Sequence, residues 1–302
     1  MRNDLHTSEF VGQEDRMTPS FATGCDLFGS WLADLERGEP PVRYPLPSPF
    51  ATLDIRPGRL ALFGGAPGVG KTAALLQIGV DLLWDNPAAR LLVANVEMTR
   101  VRLVNRIVSR LAAVPLTAIA DRTLTPGQWD RVRAAVAAVE PVTARLAFLH
   151  APFTMEHVAE AGAAFGANVL MLDYIQRFAV GDGKGDKRER PETAAAVPRR
   201  LCAAGAAVLV ASSLAGQGGQ GKTAYERPSL ASFRVSSELG HETDSAYLLV
   251  PAGGEGVDFL CVKNRHGPLA DIRTLFDPTI QKFTPAPLPL HGSPDRSDRR
   301  AA

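Results

Sequence analysis

The chain has 302 residues, with 33 Lys+Arg against 32 Asp+Glu and a formal net charge of +1, so bulk electrostatics select no partner and any polyanion must be held by a local patch. At 45% hydrophobic and 22% charged residues the composition is that of a folded protein, long enough for one large core or two modest ones. No apolar run approaches the roughly 18 to 20 residues of a membrane helix, and the polar start lacks a secretory apolar region, which predicts a cytoplasmic protein with no membrane partner.

In chain order, residues 1–23 are polar and aperiodic and read as a disordered tail. Residues 24–49 join an amphipathic helix over Asp26–Arg37 to a proline-rich strap. Leu27, Trp31, Leu32 and Leu35 share one stripe of the helix, and Pro40, Pro41, Pro45, Pro47 and Pro49 prevent its continuation. Either this helix packs on its own domain or the strap carries it to a neighbouring subunit. From residue 50 to 283, short apolar runs alternate with longer helical patterns, the rhythm of an α/β domain with a mostly parallel, buried central sheet flanked by helices. Strands are predicted at Leu60–Phe63, Leu91–Val96, Leu146–His150, Val169–Asp173, Ala207–Ser212, Ala246–Val250, Phe259–Lys263 and Arg273–Phe276. Helices are predicted at Thr72–Leu83, Arg100–Ala113, Pro126–Val139, Met155–Phe165 and about Thr193–Ala203. Residues 284–302 read as a second disordered tail. Cys25, Cys202 and Cys261 lie far apart and read as buried free thiols, and the histidines show no ligand spacing.

Gly65-Ala66-Pro67-Gly68-Val69-Gly70-Lys71-Thr72 matches the G-x-x-x-x-G-K-[ST] pattern between an apolar strand and a helix, the context in which such a loop cradles phosphates. Its glycines permit a tight turn whose N–H groups converge at a helix N-terminus, where negative charge is favoured. Lys71 is expected to reach the β- and γ-phosphates of ATP, and Thr72 to ligate Mg²⁺. The run Val169–Asp173 ends in an acid at the carboxyl edge of the sheet, on what reads as a neighbouring strand, making Asp173 the carboxylate on the Mg²⁺ side. Glu97, just past the strand Leu91–Val96, is the candidate general base for an attacking water.

Taken together, GGAPGVGKT (64–72), VANVEM (93–98), VLMLDYIQRF (169–178) and VKNRHGP (262–268) resemble the RecA-like motor domain of DnaB-type hexameric replicative helicases, over roughly residues 45 to 283. The segment SSELGHETD (236–244) is similar to the one that precedes the family's next strand. The resemblance implies a RecA-like P-loop NTPase fold whose N-terminal linker helix docks on the next subunit of a homo-oligomeric, hexameric ring. It also implies an ATP-dependent helicase or translocase that moves on single-stranded DNA, with ATP and Mg²⁺ as cofactors and replication proteins among its partners. In it Glu97 polarises the lytic water, Asp173 serves Mg²⁺, and Lys263 and Arg265 reach the γ-phosphate of the adjacent subunit, with Arg265 as the arginine finger. Lys263 and Arg265 alternate along the sequence and are expected on one face of a strand.

Loops just beyond the Mg²⁺ strand line the pore of ring motors. Here that stretch carries Lys184, Lys187, Arg188 and Arg190, able to follow a phosphate backbone, and the later stretch Ala215–Thr223 brings Lys222 to the same region. No aromatic residue interleaves residues 181–200, so binding is expected to be sequence-tolerant. The interleaved Asp182, Asp186 and Glu189 fit a merely solvated loop equally well.

The chain departs from the family pattern in two ways. Ser213 stands where the family has a Gln that senses the γ-phosphate, with Asn264 or Gln217 as candidate substitutes, and only about 45 residues precede the motor, so no collar domain is expected. These departures sustain a second reading, a helicase loader, recombination-type ATPase or regulatory switch without unwinding activity. A non-enzymatic DNA-binding scaffold is disfavoured by the intact Lys71, Thr72, Glu97 and Asp173.

Overall fold

Four helix starts in this chain are written in threonines, Thr23, Thr99, Thr125 and Thr154, and a computed structural model describing residues 23–38, 40–178, 190–214, 229–233 and 237–287 shows each of the four used. The side chains of 190–196 and 237–239 lie outside the described set. The chain divides into two units, Met1–Pro41 and Val42–Ala302.

The first unit contains helix α1 (Gly24–Arg37). The Thr23 hydroxyl accepts from the Asp26 N–H while the Asp26 carboxylate accepts from the Thr23 N–H, a capping box, and Gly38 ends the helix in the left-handed region at φ 69°. No residue of α1 is buried, and Leu27, Phe28, Trp31, Leu32 and Leu35 are 48% to 73% exposed. Cys25 is exposed as well, which corrects the expectation of a buried thiol: a helix that buries none of its own residues has no core in which to place one. Cys202 and Cys261 are buried, and loss of solvation pushes the Cys202 thiol up to about 12.

In the second unit the described residues form a nine-stranded sheet of β1 (Leu60–Gly65), β2 (Leu91–Asn95), β3 (Leu146–Phe148), β4 (Val169–Asp173), β5 (Ala207–Ser212), β6 (Ser245–Gly253), β7 (Gly256–Asn264), β8 (Ile272–Asp277) and β9 (Lys282–Pro285). The order is β3-β2-β4-β5-β1-β6-β7-β8-β9, parallel from β3 to β6 and antiparallel from β6 to β9. The helices are α2 (Lys71–Asp85), α3 (Arg100–Ala112), α4 (Leu116–Ala120), α5 (Pro126–Thr143), α6 (Met155–Phe165), α7 (Arg190–Ala203) and α8 (Ser237–Glu242). Thr99, Thr125 and Thr154 cap α3, α5 and α6 through their side-chain oxygens.

Successive residues of the parallel strands feed two cores, as the two-residue side-chain period requires. Ala61, Phe63, Val93, Met171 and Leu209 face one core, shared with α2 and α3, while Leu62, Leu92, Leu170, Val208 and Val210 face the other, shared with α6 and α7. Each such Leu contributes about 1.5–3 kcal/mol by burial, so the central strands are the most strongly held part of the sheet. Helix α2 is buried without a break from Ala73 to Leu83, which explains why its sequence is apolar on nearly every face. Within it, Gln77 is 3% exposed and pairs with the backbone of β9, its Nε2 donating to Phe283 O at 3.0 Å and its Oε1 accepting from Phe283 N at 2.9 Å. Arg110 of α3 meets Asp81 of α2 at 2.7 Å, both side chains 9% exposed. No helix among the described residues is long and apolar enough to cross a membrane.

Candidate functional site

Gly65 ends β1, and residues 66–70 turn the chain into the N-terminus of α2, where aligned peptide dipoles favour an anion. Gly68 and Gly70 have φ of 83° and 99°, and a Cβ on Gly70 would stand 2.9 Å from the Phe283 ring. Val69 is buried and Pro67 exposed, so the loop is anchored at one residue and open at its crest. Lys71 Nζ donates to the carbonyls of Gly65 at 2.7 Å and Ala66 at 2.9 Å. Burial draws the Lys71 ammonium below the usual lysine range, opposed by the charges of Asp173 and Glu97.

Thr72 Oγ1 donates to Asp173 Oδ2 at 2.6 Å, bringing together the two residues expected to hold Mg²⁺. The strand carrying Asp173 is not the neighbour of β1: β5 lies between them, and Thr72 makes the crossing from the first turn of α2. Asp173 is 2% exposed, and burial raises its carboxyl above the ordinary range, the Thr72 hydrogen bond pulls it back, and the charge of Glu97 raises it further. A hydroxyl and a carboxylate are hard oxygen donors, and with a phosphate-binding loop alongside they fit a Mg²⁺–nucleotide pair. Glu97 is exposed in the turn after β2, at the same edge of the sheet.

The turn bearing Glu97 is shaped by a residue that motif reading passed over. Asn95 ends β2, one residue earlier than expected, and its Oδ1 accepts from the N–H groups of Glu97 at 3.0 Å and Met98 at 2.7 Å. An Asn at the end of an apolar strand and ahead of a helix cap is the available signal, since Asn favours such side-chain turns.

Lys263 lies near the end of β7, but Arg265 is in the turn beyond it, so the expected alternation along one strand does not reach Arg265. The two side chains nevertheless converge on one carbonyl: Lys263 Nζ donates to His241 O at 2.7 Å and Gly240 O at 3.1 Å, and Arg265 Nη2 donates to His241 O at 3.0 Å. Buried Asp244, a second unforeseen residue, gathers basic groups around this pair. Its carboxylate accepts from Leu60 N at 2.9 Å and lies within 3.4 Å of Arg199, Arg265 and His266. Burial lowers the Lys263 ammonium, with Arg265 adding to the shift and Asp244 opposing it. Ser213 follows β5, its carbonyl accepting from the Ser212 hydroxyl, which in turn receives Gln176 Nε2 at 2.8 Å. Asn264 is engaged with the turn it begins, donating to Pro268 O at 2.9 Å. Lys184, Lys187, Arg188, Lys222 and Gln217 lie outside the described residues, and Arg190 is described only as the first backbone position of α7.

The family model of the DnaB-like helicase C-terminal domain matches residues 49–285. Among solved structures, the ATPase domain of the protein G40-P aligns with a TM-score of 0.73 at 15% identity, over 88% of this chain and 100% of that one. A DnaB-like replicative helicase, solved with regard to its interactions with primase, aligns with a TM-score of 0.73 at 16% identity, over 85% of this chain and 67% of that one. At these identities the structural likeness concerns the fold, a RecA-like central sheet flanked by helices. No curated protein matches the sequence.

Proposed function

The chain belongs to the family of DnaB-like helicase C-terminal domains, an ATP-hydrolysing enzyme family, and on that premise we propose that it is an ATP-driven motor that moves on single-stranded DNA as a ring, hexameric in the family pattern. The observation that carries this reading is the junction of Thr72 Oγ1 and Asp173 Oδ2 at 2.6 Å, with Lys71 on the same loop and Glu97 at the same sheet edge. In the proposed reaction Lys71 leaves the carbonyls of Gly65 and Ala66 for the β- and γ-phosphate oxygens of ATP, exchanging neutral acceptors for charged ones and so making stronger hydrogen bonds. Thr72 and Asp173 would hold Mg²⁺, which when bound offsets charge on the phosphate oxygens. The Glu97 carboxylate orients the attacking water and accepts its proton as the bond between the γ-phosphorus and the bridging oxygen breaks.

Lys263 and Arg265 act on the nucleotide of the adjacent copy, where a fixed guanidinium stabilises charge developing on the transferred phosphoryl group by about 10³ to 10⁵ in rate. To do so they exchange Gly240, His241 and Asp244 for phosphate oxygens. Residues 24–49 form the linker and 50–283 the motor, and the exposed apolar face of α1 docks on the next copy. Lys184, Lys187, Arg188, Arg190 and Lys222 track the DNA backbone. A second reading, a nucleotide-switched loader without unwinding activity, is favoured by Ser213, whose hydroxyl is shorter than the Gln side chain of the family pattern.

Steady-state ATP turnover with and without single-stranded DNA, with Lys71→Ala as the blank, tests both. Turnover strongly stimulated by DNA supports the motor, turnover indifferent to DNA supports the switch, and turnover no higher than the blank refutes hydrolysis at this site.

A further inference from the structure

The magnesium-side carboxylate and the water-side carboxylate are not placed independently. Asn95 is 4% exposed and stands opposite Asp173 in the parallel register of β2 and β4. Its Nδ2 donates to Asp173 Oδ2 at 2.7 Å, while its Oδ1 takes the N–H groups of Glu97 and Met98. The amide orientation follows from the partners alone, since a carboxylate needs a donor and two backbone N–H groups need an acceptor. Asp173 Oδ2 receives Thr72 Oγ1 as well, so one oxygen is pinned from two sides. The Glu97 turn, by contrast, borders a cavity of about 480 Å³ whose lining includes Glu97 and Arg100 beside Met98, Leu103 and Phe148, so the Glu97 side chain faces open space rather than a packed neighbour. The Asn95 carbonyl closes the turn by accepting both N–H groups, while the Val96 N–H donates to Asp173 O at 3.0 Å and the Val96 and Met98 side chains pack on the cores to either side.

We propose that Asn95 is a positioning residue that sets both carboxylates at once: it aims Asp173 at the divalent cation and holds the turn that presents Glu97 to the water. This rests on the roles given above to Asp173 and Glu97. An Asn serving only as a turn former would need its Oδ1 contacts and nothing else. The Nδ2 contact to a buried carboxylate on another strand is the additional, functional link. A serine here has one short hydroxyl, able to cap the turn but not to reach Asp173 at the same time.

The test uses the full chain with Asn95→Ala and Asn95→Ser. A fluorescent ATP analogue is titrated with and without Mg²⁺, and ATP turnover is measured at saturation. For Asn95→Ala the expected result is unchanged metal-free affinity, loss of the tightening produced by Mg²⁺ by about tenfold to a hundredfold, the scale for removing a partner behind a metal ligand, and a fall in kcat of about a hundredfold, the scale of an ångström's misplacement. Asn95→Ser is expected to recover turnover more than it recovers the Mg²⁺ tightening. Equal loss of affinity with and without Mg²⁺ marks general loosening of the loop and overturns the proposal, as does an alanine variant that behaves like the wild type in both measurements. A wild type that fails to hydrolyse ATP while Asn95→Ala still loses the Mg²⁺ tightening refutes the hydrolysis reading and leaves the positioning of Asp173 standing. A wild type whose nucleotide binding ignores Mg²⁺ overturns both.

Discussion

Gly70 does two jobs that no other residue can do. Its φ of 99° lies where a side chain is strained by about 1–3 kcal/mol, and a Cβ would stand 2.9 Å from the Phe283 ring. Gly70→Ala is therefore expected to lower thermal stability and to abolish ATP binding, measured by a melting curve and by titration with a fluorescent nucleotide. Asp173 makes a second prediction at this scale. Burial holds its carboxyl above the ordinary value of 3.8, so the folded chain binds this proton more tightly than the unfolded one. The stabilising contribution is then present in full below 3.8 and is lost as pH rises through the folded pKa. In the absence of nucleotide, Asp173→Asn should melt higher than the wild type near neutral pH, with the difference shrinking as pH falls toward 3.8. A difference that grows on acidification would contradict the assigned shift.

Among the elements, β9 shows how a short strand is secured from far away. Its four residues pair with β8, and the Gln77 amide of α2 holds the Phe283 backbone on the side toward the phosphate loop. Gln77→Leu would strand a buried donor and acceptor, which costs about 1–3 kcal/mol. We expect an earlier urea midpoint and, because Phe283 also borders Gly70, weaker nucleotide binding. The same strand marks what the sequence leaves unreadable. β9 begins in a stretch expected to end at residue 283 and has only four residues, too few for an alternating pattern to show, and the Gln77 amide that secures it is 206 residues away. The five residues of α4 are likewise too few for a helical period to appear. β4, β5 and α6 have the expected bounds, because two are apolar runs buried on both faces and the third is bracketed by Thr154 and Gly166. β6 and β7 run longer than expected, since their hairpin pairs Pro251 with Val257 and Gly253 with Gly256, beyond the apolar stretches. In the site, the residues of the phosphate loop, Glu97 and Asp173 were legible because their motifs are local. Asn95 offered a local signal only for its turn, since its link to Asp173 crosses to another strand, and Asp244 offered none, because its partners lie on other elements or past the next hairpin.

At the scale of the whole molecule, two experiments address assembly. Leu27, Phe28, Trp31, Leu32 and Leu35 leave α1 with an apolar face that none of its own residues buries. Deleting residues 1–38 should therefore convert oligomer to monomer by light scattering, and an unchanged mass would refute the linker role. Arg265→Ala should leave ATP binding intact while abolishing turnover, and mixing it with Glu97→Gln subunits should restore part of the activity. Absence of rescue would rule out a site shared between copies. The rims of the sheet carry a different consequence. β3 has three residues and β9 four, so each end offers a foreign strand only a few backbone pairs. Fibril-like strand addition at these described rims is thus poorly templated, and on the proposed linker role copies whose α1 lacks a partner should clump through that helix with their sheets native, as precipitates that redissolve once it is removed or masked by mild detergent.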